Sequence, residues 1–468
     1  MPWRLALGLA GLSLGAHLGV ALLTEPVPDE AYYLLWSRHL AWDYPDHPPA
    51  VAFFLALARL LAGEGRLALR LPALLTALLV PTLLGWALAR TRGEAEARRL
   101  LWLLHATLLL HVLGVIVTPD TPLSLAWAAA LAGLLLLVDR EGEGRPAPLL
   151  LLGVGLALGV ALLSKLTGWA LLGGVLAAAL FHRPLRERLG GWGGLALLVV
   201  PALALAAPWI AATLAAPGES GLAFQLGRLS PRGSLPAKLG AYLGGQLGVL
   251  TPGVLWLALR FAGTLRRPAS PRDTLLLWLG LPLPLFFLAV ALVRPVEANW
   301  IGPAWLPLLV GAAGLPVTRR CFRGSVGVGL GLVLLLHGLA LATASEAGRG
   351  LLPRASLARL SGGERLAARV DELCSGPVVR VGDYGAGAEL HLHLGAERVR
   401  VETRERPSLF DRLEQPPFVA VDGACSLDSC RRPPPPLEGC VWGPPALPGD
   451  WPRPRLCLSR LRCEVPLR

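Results

Sequence analysis

Charge is scarce in this chain of 468 residues: 16% of them are charged and 54% are apolar. An average soluble domain carries about a quarter charged residues, so the shortage excludes the roughly three soluble domains that the length would suggest. Cysteine is missing from the first 320 positions, and no C-x-x-C pair occurs anywhere, which argues against zinc-type spacing. Acidic residues are too few to balance the basic ones, 32 against 44, leaving a net charge of +12. That excess does not imply a nucleic-acid partner. Many of the basic residues sit in short loops between apolar runs, the positive-inside pattern of a membrane protein.

What is abundant is apolar sequence. Mean hydropathy is +0.55, and apolar runs recur from Leu5 to Ala342. Each is long enough, or nearly so, to cross a hydrocarbon core of ~30 Å. The pattern predicts eleven spans near 5–23, 67–89, 100–117, 121–138, 149–163, 168–181, 192–215, 239–259, 274–293, 300–316 and 325–343. Arginines gather after the second, fourth, sixth, eighth and tenth spans (Arg90 and Arg92, Arg140, Arg183 and Arg186, Arg260 and Arg266, Arg319 and Arg320), which assigns those loops to the cytoplasm. Residues 149–181 read as two short spans meeting at Ser164 and Lys165 on the outer face, because one helix of that length would be ~50 Å long. The first span lacks a good cleavage site before Thr24 and reads as an uncleaved helix.

The expected fold class is an all-α polytopic membrane protein with a small C-terminal α/β domain. Residues 1–343 form the transmembrane domain, with a first outer loop at 24–66. Residues 344–468 form the second domain, on the outer face by the parity of eleven spans. In it, 377–382, 397–402 and 418–422 read as strands and 384–393 as a helix; Pro433–Pro436 reads as a spacer. Six of the seven cysteines (Cys374, Cys425, Cys430, Cys440, Cys457, Cys463) fall here, an even set expected to form three disulfides of undetermined pairing in an oxidising compartment.

The first outer loop is the richest in chemistry. Residues 29–40 have helical spacing and read as an interfacial helix, with Tyr32, Tyr33 and Trp36 in an aromatic belt; a second such helix is expected from about Pro49 to Leu61. The belt does not account for Asp29 and Glu30 at the end of an apolar span, nor for Asp46 and His47 held by two prolines. Asp120, Lys165, Glu297, Asn299 and Trp300 stand in turns at the same outer level, and Arg70 near the outer end of the second span. Ionisable groups at membrane edges are costly and default to function, although for Arg70 snorkelling is the alternative. Arg228, Arg232 and Lys238 form a basic cluster suited to a lipid phosphate, with simple solvation as the alternative. His105, His111 and His337 lie within spans and read as packed helix residues, since no second ligand stands at i+4. A carboxylate can deprotonate an acceptor hydroxyl, and cations can stabilise a departing phosphate. Chemistry on a lipid-phosphate-linked sugar fits. Transport of a lipid-linked glycan is the alternative, but it predicts inverted repeats and midplane sites that the sequence does not show.

DEAYYLLWSR (29–38), DHPP (46–49), TPDTPL (118–123), LLSKLTG (162–168) and EANW (297–300), in this order, resemble the GT-C-fold glycosyltransferases that use polyprenyl-phosphate sugars. The resemblance is to bacterial members of glycosyltransferase family 39, relatives of the protein mannosyltransferases and of the lipid A aminoarabinose transferase. It extends through about residue 343 and, in outline, to DYGAGAEL (383–390). It implies an integral enzyme of a bacterial inner membrane, with its site and C-terminal domain outside the cytoplasm. The implied reaction moves a sugar from a polyprenyl-phosphate donor to a glycolipid, cell-surface glycan or protein, with inversion and no enzyme nucleophile. Asp29 would orient or deprotonate the acceptor, with Glu30 secondary. Asp46 and His47 would shape the donor end, Asp120 would be a second acid, Lys165 a phosphate contact, and Asn299 and Trp300 would close the cavity. Arg70, Arg228, Tyr32 and Glu297 complete the candidate set. No cofactor is required by this reading; a divalent metal, if used, would fall to Asp29, Glu30, Asp46 and His47.

Overall fold

A computed structural model describes the chain except for residues 1, 141–145, 228–230, 232, 267–269, 351–361, 375–377, 404–407, 418–424, 430–439, 443–455 and 464–468. The first part is helical: α1 (Pro2–Leu23), α2 (Pro28–Trp36), α3 (Ala50–Ala62), α4 (Arg66–Arg92), α5 (Glu94–His105), α6 (Leu108–Leu113), α7 (Asp120–Val138), α8 (Pro148–Ser164) and α9 (Gly168–Phe181). There follow α10 (Arg183–Arg188), α11 (Gly191–Ala215), α12 (Gly221–Gly227), α13 (Leu235–Leu250), α14 (Pro252–Ala262), α15 (Pro271–Gly280), α16 (Pro282–Val293), α17 (Trp305–Ala313) and α18 (Arg319–Ala342). Leu60, Leu149 and Phe181 are three-quarters or more exposed on this bundle, an outer surface suited to lipid rather than water.

Every expected apolar segment is at least partly helical, but the count of eleven spans is corrected. Among the described residues five helices are long and apolar enough to cross a membrane, or seven if each bent pair is one span. The remainder are short or interrupted. The segment at 100–117 breaks at Ala106–Thr107 into α5 and α6. The segment at 239–259 turns through 102° between α13 and α14. Its corner is Thr251, the one described non-glycine residue with positive φ (67°), set before Pro252. The buried Thr251 hydroxyl donates to Ala106 O at 3.1 Å, so the two breaks brace one another. Helices α8 and α9, of 17 and 14 residues, reach only ~26 and ~21 Å. The segment at 300–316 opens as a 3-10 turn, Ala298–Ala304, before the short α17.

The C-terminal part has the expected strand–helix–strand: β1 (Val379–Val381), the helix Tyr384–Leu394, and β2 (Val399–Val401). The strand expected at 418–422 and the polyproline spacer lie outside the described residues. Three more strands are present, β3 (Cys425–Ser429), β4 (Cys440–Trp442) and β5 (Leu456–Cys463), in the order β2-β1-β3-β5-β4. Strand β1 lies parallel to β2 and β3, and β5 is antiparallel to β3 and β4. Cys374 and Cys425 form a disulfide, one of the three expected; Cys430 lies outside the described residues.

Two hydrophobic cores result. One fills the helix bundle around Trp127 and Leu131. The other joins α2 and α3 to the C-terminal part, placing Tyr32, Trp36 and Leu55 with Leu366, Val381 and Phe410. The aromatic belt expected on α2 is therefore a core. Tyr32, Trp36 and Tyr44 are fully buried, and Trp36 stacks on Tyr44 with ring centres 3.9 Å apart. Each such ring contributes roughly 1.5–3 kcal/mol on burial.

Candidate active site

A cavity of about 630 Å³ opens where the loops after α2, α6, α8 and α16 meet the helix Tyr384–Leu394. Its polar end carries Asp29, Asp46, His47, Asp120, Lys165, Arg294, Glu297 and Asn299. Its other end is apolar. Ala170, Gly173, Gly174 and Ala177 of α9 face Trp278 of α15 and Pro282, Leu283, Phe286 and Phe287 of α16. A Cβ added at Gly173 would meet nothing within 4 Å, so the groove is open there, whereas one at Gly174 would stand 2.8 Å from Trp278 O, where α9 packs closely on α15.

The centre of the polar end is a buried ion pair. Lys165, one of two lysines in the chain, donates from Nζ to both Asp120 oxygens at 2.9 and 3.0 Å. Asn299 Nδ2 donates to Asp120 Oδ2 at 2.6 Å. Asp120 opens α7, where the helix dipole favours an anion. Lys165 stands in the extended break between α8 and α9 (φ −161°, ψ 153°), which directs it inward. Three separated sequence motifs thus meet at one carboxylate.

Asp29, in the first turn of α2, lines the cavity and accepts a hydrogen bond from Tyr384 Oη at 2.8 Å. The C-terminal part thereby completes the site wall. Asp46 is anchored through its backbone carbonyl, which accepts from Gln225 Nε2 of α12 at 2.9 Å. Gly221 favours that approach, because a Cβ there would stand tightly, 3.0 Å from Tyr44 O. Asp43, just outside the site, meets Arg412 at 3.3 Å; burial pushes its carboxyl up against the pull of that guanidinium.

Several expected residues do not line the cavity. Glu30 is fully buried and pairs with Arg70 at 3.0 Å, also accepting from Val27 N and Val117 N. Arg70 donates further to Val20 O, Ala21 O, Thr24 O and Glu25 O, capping the carbonyl end of α1. The pair is a brace beside the site. Tyr32 points the other way and accepts from Leu409 N at 2.8 Å. Lys238 caps α16 by donating to Leu292 O and Val293 O. Arg228 and Arg232 lie outside the described residues. In the other direction, Arg294, Tyr384, Phe224 and Gln225 line the cavity although the sequence reading did not single them out. Arg294 directs its guanidinium at the Trp300 ring, 5.7 Å from its centre. Its signal was adjacency to the EANW motif.

The proposed outer metal set does not fit. Glu30 is committed to Arg70, and among the described residues the one convergent group of three or more metal-ligating side chains is elsewhere, at His17, His111 and His337.

A family model described as dolichyl-phosphate-mannose-protein mannosyltransferase matches residues 46–211, about a third of the chain. No curated protein matches the sequence. Among solved structures, ArnT from Cupriavidus metallidurans bound to undecaprenyl phosphate aligns over 97% of both chains at 19% identity, with a TM-score of 0.67. The Archaeoglobus fulgidus oligosaccharyltransferase tethered to an acceptor peptide aligns over 91% of this chain and 69% of its own at 13% identity, with a TM-score of 0.52. These likenesses are of fold: the chain shares the architecture of that ArnT structure over almost its whole length.

Proposed function

We propose that this protein is an integral-membrane glycosyltransferase, similar to family 39, that transfers a sugar from a polyprenyl-phosphate donor to an acceptor outside the cytoplasm of a bacterial cell, with inversion. The observation that carries the reading is the two-ended cavity. An apolar groove between α9 and α16 suits a prenyl chain, and it leads to Lys165 and Arg294 at its polar end. A lipid-phosphate-linked sugar laid along it would present its anomeric carbon near Asp29. The likeness in fold to a protein bound to undecaprenyl phosphate supports the same donor class.

In this reading Asp29 accepts the proton of the acceptor hydroxyl as that oxygen bonds to the anomeric carbon. The bond from that carbon to the phosphate oxygen breaks, and polyprenyl phosphate leaves with the electron pair. Lys165 and Arg294 offset the charge growing on the leaving phosphate. Asp120 holds Lys165 in place. Asp46 and His47 border the sugar, Trp300 and Asn299 close the wall, and Tyr384 orients Asp29. A single attack from the opposite face needs no nucleophile on the enzyme, and no step calls for a metal.

The test is sugar transfer in proteoliposomes, with a panel of polyprenyl-phosphate sugars and a glycolipid extract. Released polyprenyl phosphate is followed by mass spectrometry. Wild type is expected to release it, and Asp29→Asn to be slower by about 10²–10⁴-fold, the usual contribution of a general base. Equal rates would remove Asp29 from the mechanism. Absence of release with every donor, joined to movement of a lipid-linked glycan across the same liposomes, would replace transfer by transport.

A further inference from the structure

We propose that His17, His111 and His337 form a binding site for a borderline transition-metal ion, of which Zn²⁺ is the type, inside the helix bundle and apart from the cavity. Sequence spacing reads His111 and His337 as packed helix residues; the fold brings His17 to both. The three come from α1, α6 and α18, and one ligand atom from each lies within 4.8 Å of the others. They are 0%, 4% and 9% exposed. Ionisable side chains at such positions in a membrane protein require a reason beyond packing.

Hydrogen bonding fixes which nitrogens face inward. A carbonyl oxygen only accepts, so His111 Nε2 must donate to His105 O at 3.1 Å and His337 Nδ1 must donate to Val333 O at 2.9 Å. The lone pairs are left on His111 Nδ1 and His337 Nε2. His17 Nε2 therefore donates to His111 Nδ1 at 3.0 Å, a hydrogen that an ion would replace once His17 carries its proton on Nδ1; His17 Nδ1 and His337 Nε2 have no hydrogen-bond partner. Ligating histidines typically donate the other ring N–H to a backbone carbonyl in this way, which orients the ring and raises its basicity. Ligand nitrogens bonded at about 2.0–2.1 Å to a tetrahedral ion stand about 3.4 Å apart, so small ring rotations close the set. An all-imidazole donor set selects Zn²⁺, Cu, Ni or Fe over Mg²⁺ and Ca²⁺.

Space for the cluster is also built. A Cβ at Gly114 would stand 2.5 Å from His17 Cε1 and 2.7 Å from His17 Nδ1. His105, whose ring centre is 6.1 Å from that of His111, instead places Nδ1 2.9 Å from Ser13 Oγ and is not part of the set. An ion here would clamp α1 and α18, the two ends of the helical part, to α6.

The experiment uses full-length protein in nanodiscs, carried on a histidine-free tag, stripped with chelator and then equilibrated with Zn²⁺ or Co²⁺. One ion per chain is expected by elemental analysis, with the visible absorption of tetrahedral Co²⁺. X-ray absorption at the zinc edge should show imidazole nitrogens at about 2.0–2.1 Å. His17→Gln, His111→Gln and His337→Gln should each weaken binding at least tenfold while eluting as monodisperse particles, and His105→Gln should bind as wild type does. Sub-stoichiometric binding by wild type would overturn the site. Binding that survives in the three variants, or that disappears only with His391 and His393, would do so too. Should a variant fail to fold, the absorption spectrum of wild type decides: a shell of oxygen ligands overturns the proposal.

Discussion

At the scale of single residues, burial changes what a side chain is for. Arg70 and Glu30 read from sequence as site groups. Their side chains are 2% and 0% exposed and satisfy each other. Breaking such a pair by removing one partner costs about 3–5 kcal/mol, because the remaining charge is stranded. His391 is a case where burial sets a pH dependence. Burial pulls its imidazole down to about 4, while Nε2 donates to Val399 O at 3.1 Å. The unfolded chain takes up a proton near pH 6.5 that the folded chain refuses until about pH 4. Stability from this group is therefore complete above about pH 6.5 and lost as pH falls toward 4, by a total on the order of 3 kcal/mol. We expect amide protection at Val399–Val401, measured by hydrogen exchange, to fall over that window in wild type and to stay flat in His391→Gln. A flat wild-type profile would show that the imidazole is protonated without cost. Asp29, Asp46, His47, Asp120, Lys165, Glu297, Asn299 and Trp300 were legible as a set because polar residues are conspicuous in apolar sequence. The resemblance ranks Asp29 above Glu30, but residue type and spacing alone do not show which of the two faces the cavity. Asp29 and Glu30 are adjacent, and only the packing of Arg70 forty positions away decides between them.

At the scale of elements, the breaks matter more than the helices. Hydropathy located the apolar segments, since a run of leucines has little alternative to helix in lipid. It overcounted spans because length alone does not reveal a 102° corner at Thr251 or a break at Ala106. These depend on a hydroxyl and a carbonyl 145 positions apart. The break that serves the site is the one between α8 and α9. Gly168 N donates to Lys165 O at 2.8 Å, turning the chain directly after the lysine. A Cβ at Gly168 would collide with Ala161 O, a backbone atom that cannot swing aside. Gly168→Val should therefore push α9 from α8 and pull Lys165 away from Asp120. Transfer in proteoliposomes is expected to fall at least 100-fold, and the prenyl-phosphate affinity with it, although position 168 carries no reactive group. Activity within threefold of wild type would show that the hairpin tolerates the shift and that Lys165 is held by Asp120 alone.

At the scale of the whole molecule, the two hydrophobic cores do not coincide with the division into residues 1–343 and 344–468 drawn from composition. The second core takes Tyr32, Trp36 and Leu55 from the first outer loop and closes them under Phe410, Val381 and Leu366. Polar contacts follow the same seam: Tyr32 with Leu409 N, Asp43 with Arg412, Glu25 with Gly362 N, and Asp29 with Tyr384. The C-terminal part is thus a lid that carries one wall of the cavity, which composition could not reveal because these contacts join residues more than 300 positions apart. The Cys374–Cys425 disulfide ties the end of the helix Gly363–Leu373 to the first residue of β3, across 51 positions. Closing a loop of that size typically contributes 2–4 kcal/mol. The double variant Cys374→Ala with Cys425→Ala should therefore loosen the lid by about that amount. Hydrogen exchange is expected to speed up in 363–401 and in α2, whose aromatic side chains lose their cover, while α7 and α8 keep wild-type protection. Transfer activity should drop with the lid, because Tyr384 leaves Asp29. Were protection lost equally in α7 and α8, the two cores would be one cooperative unit. Were it lost nowhere, the lid would be held by the seam without the disulfide.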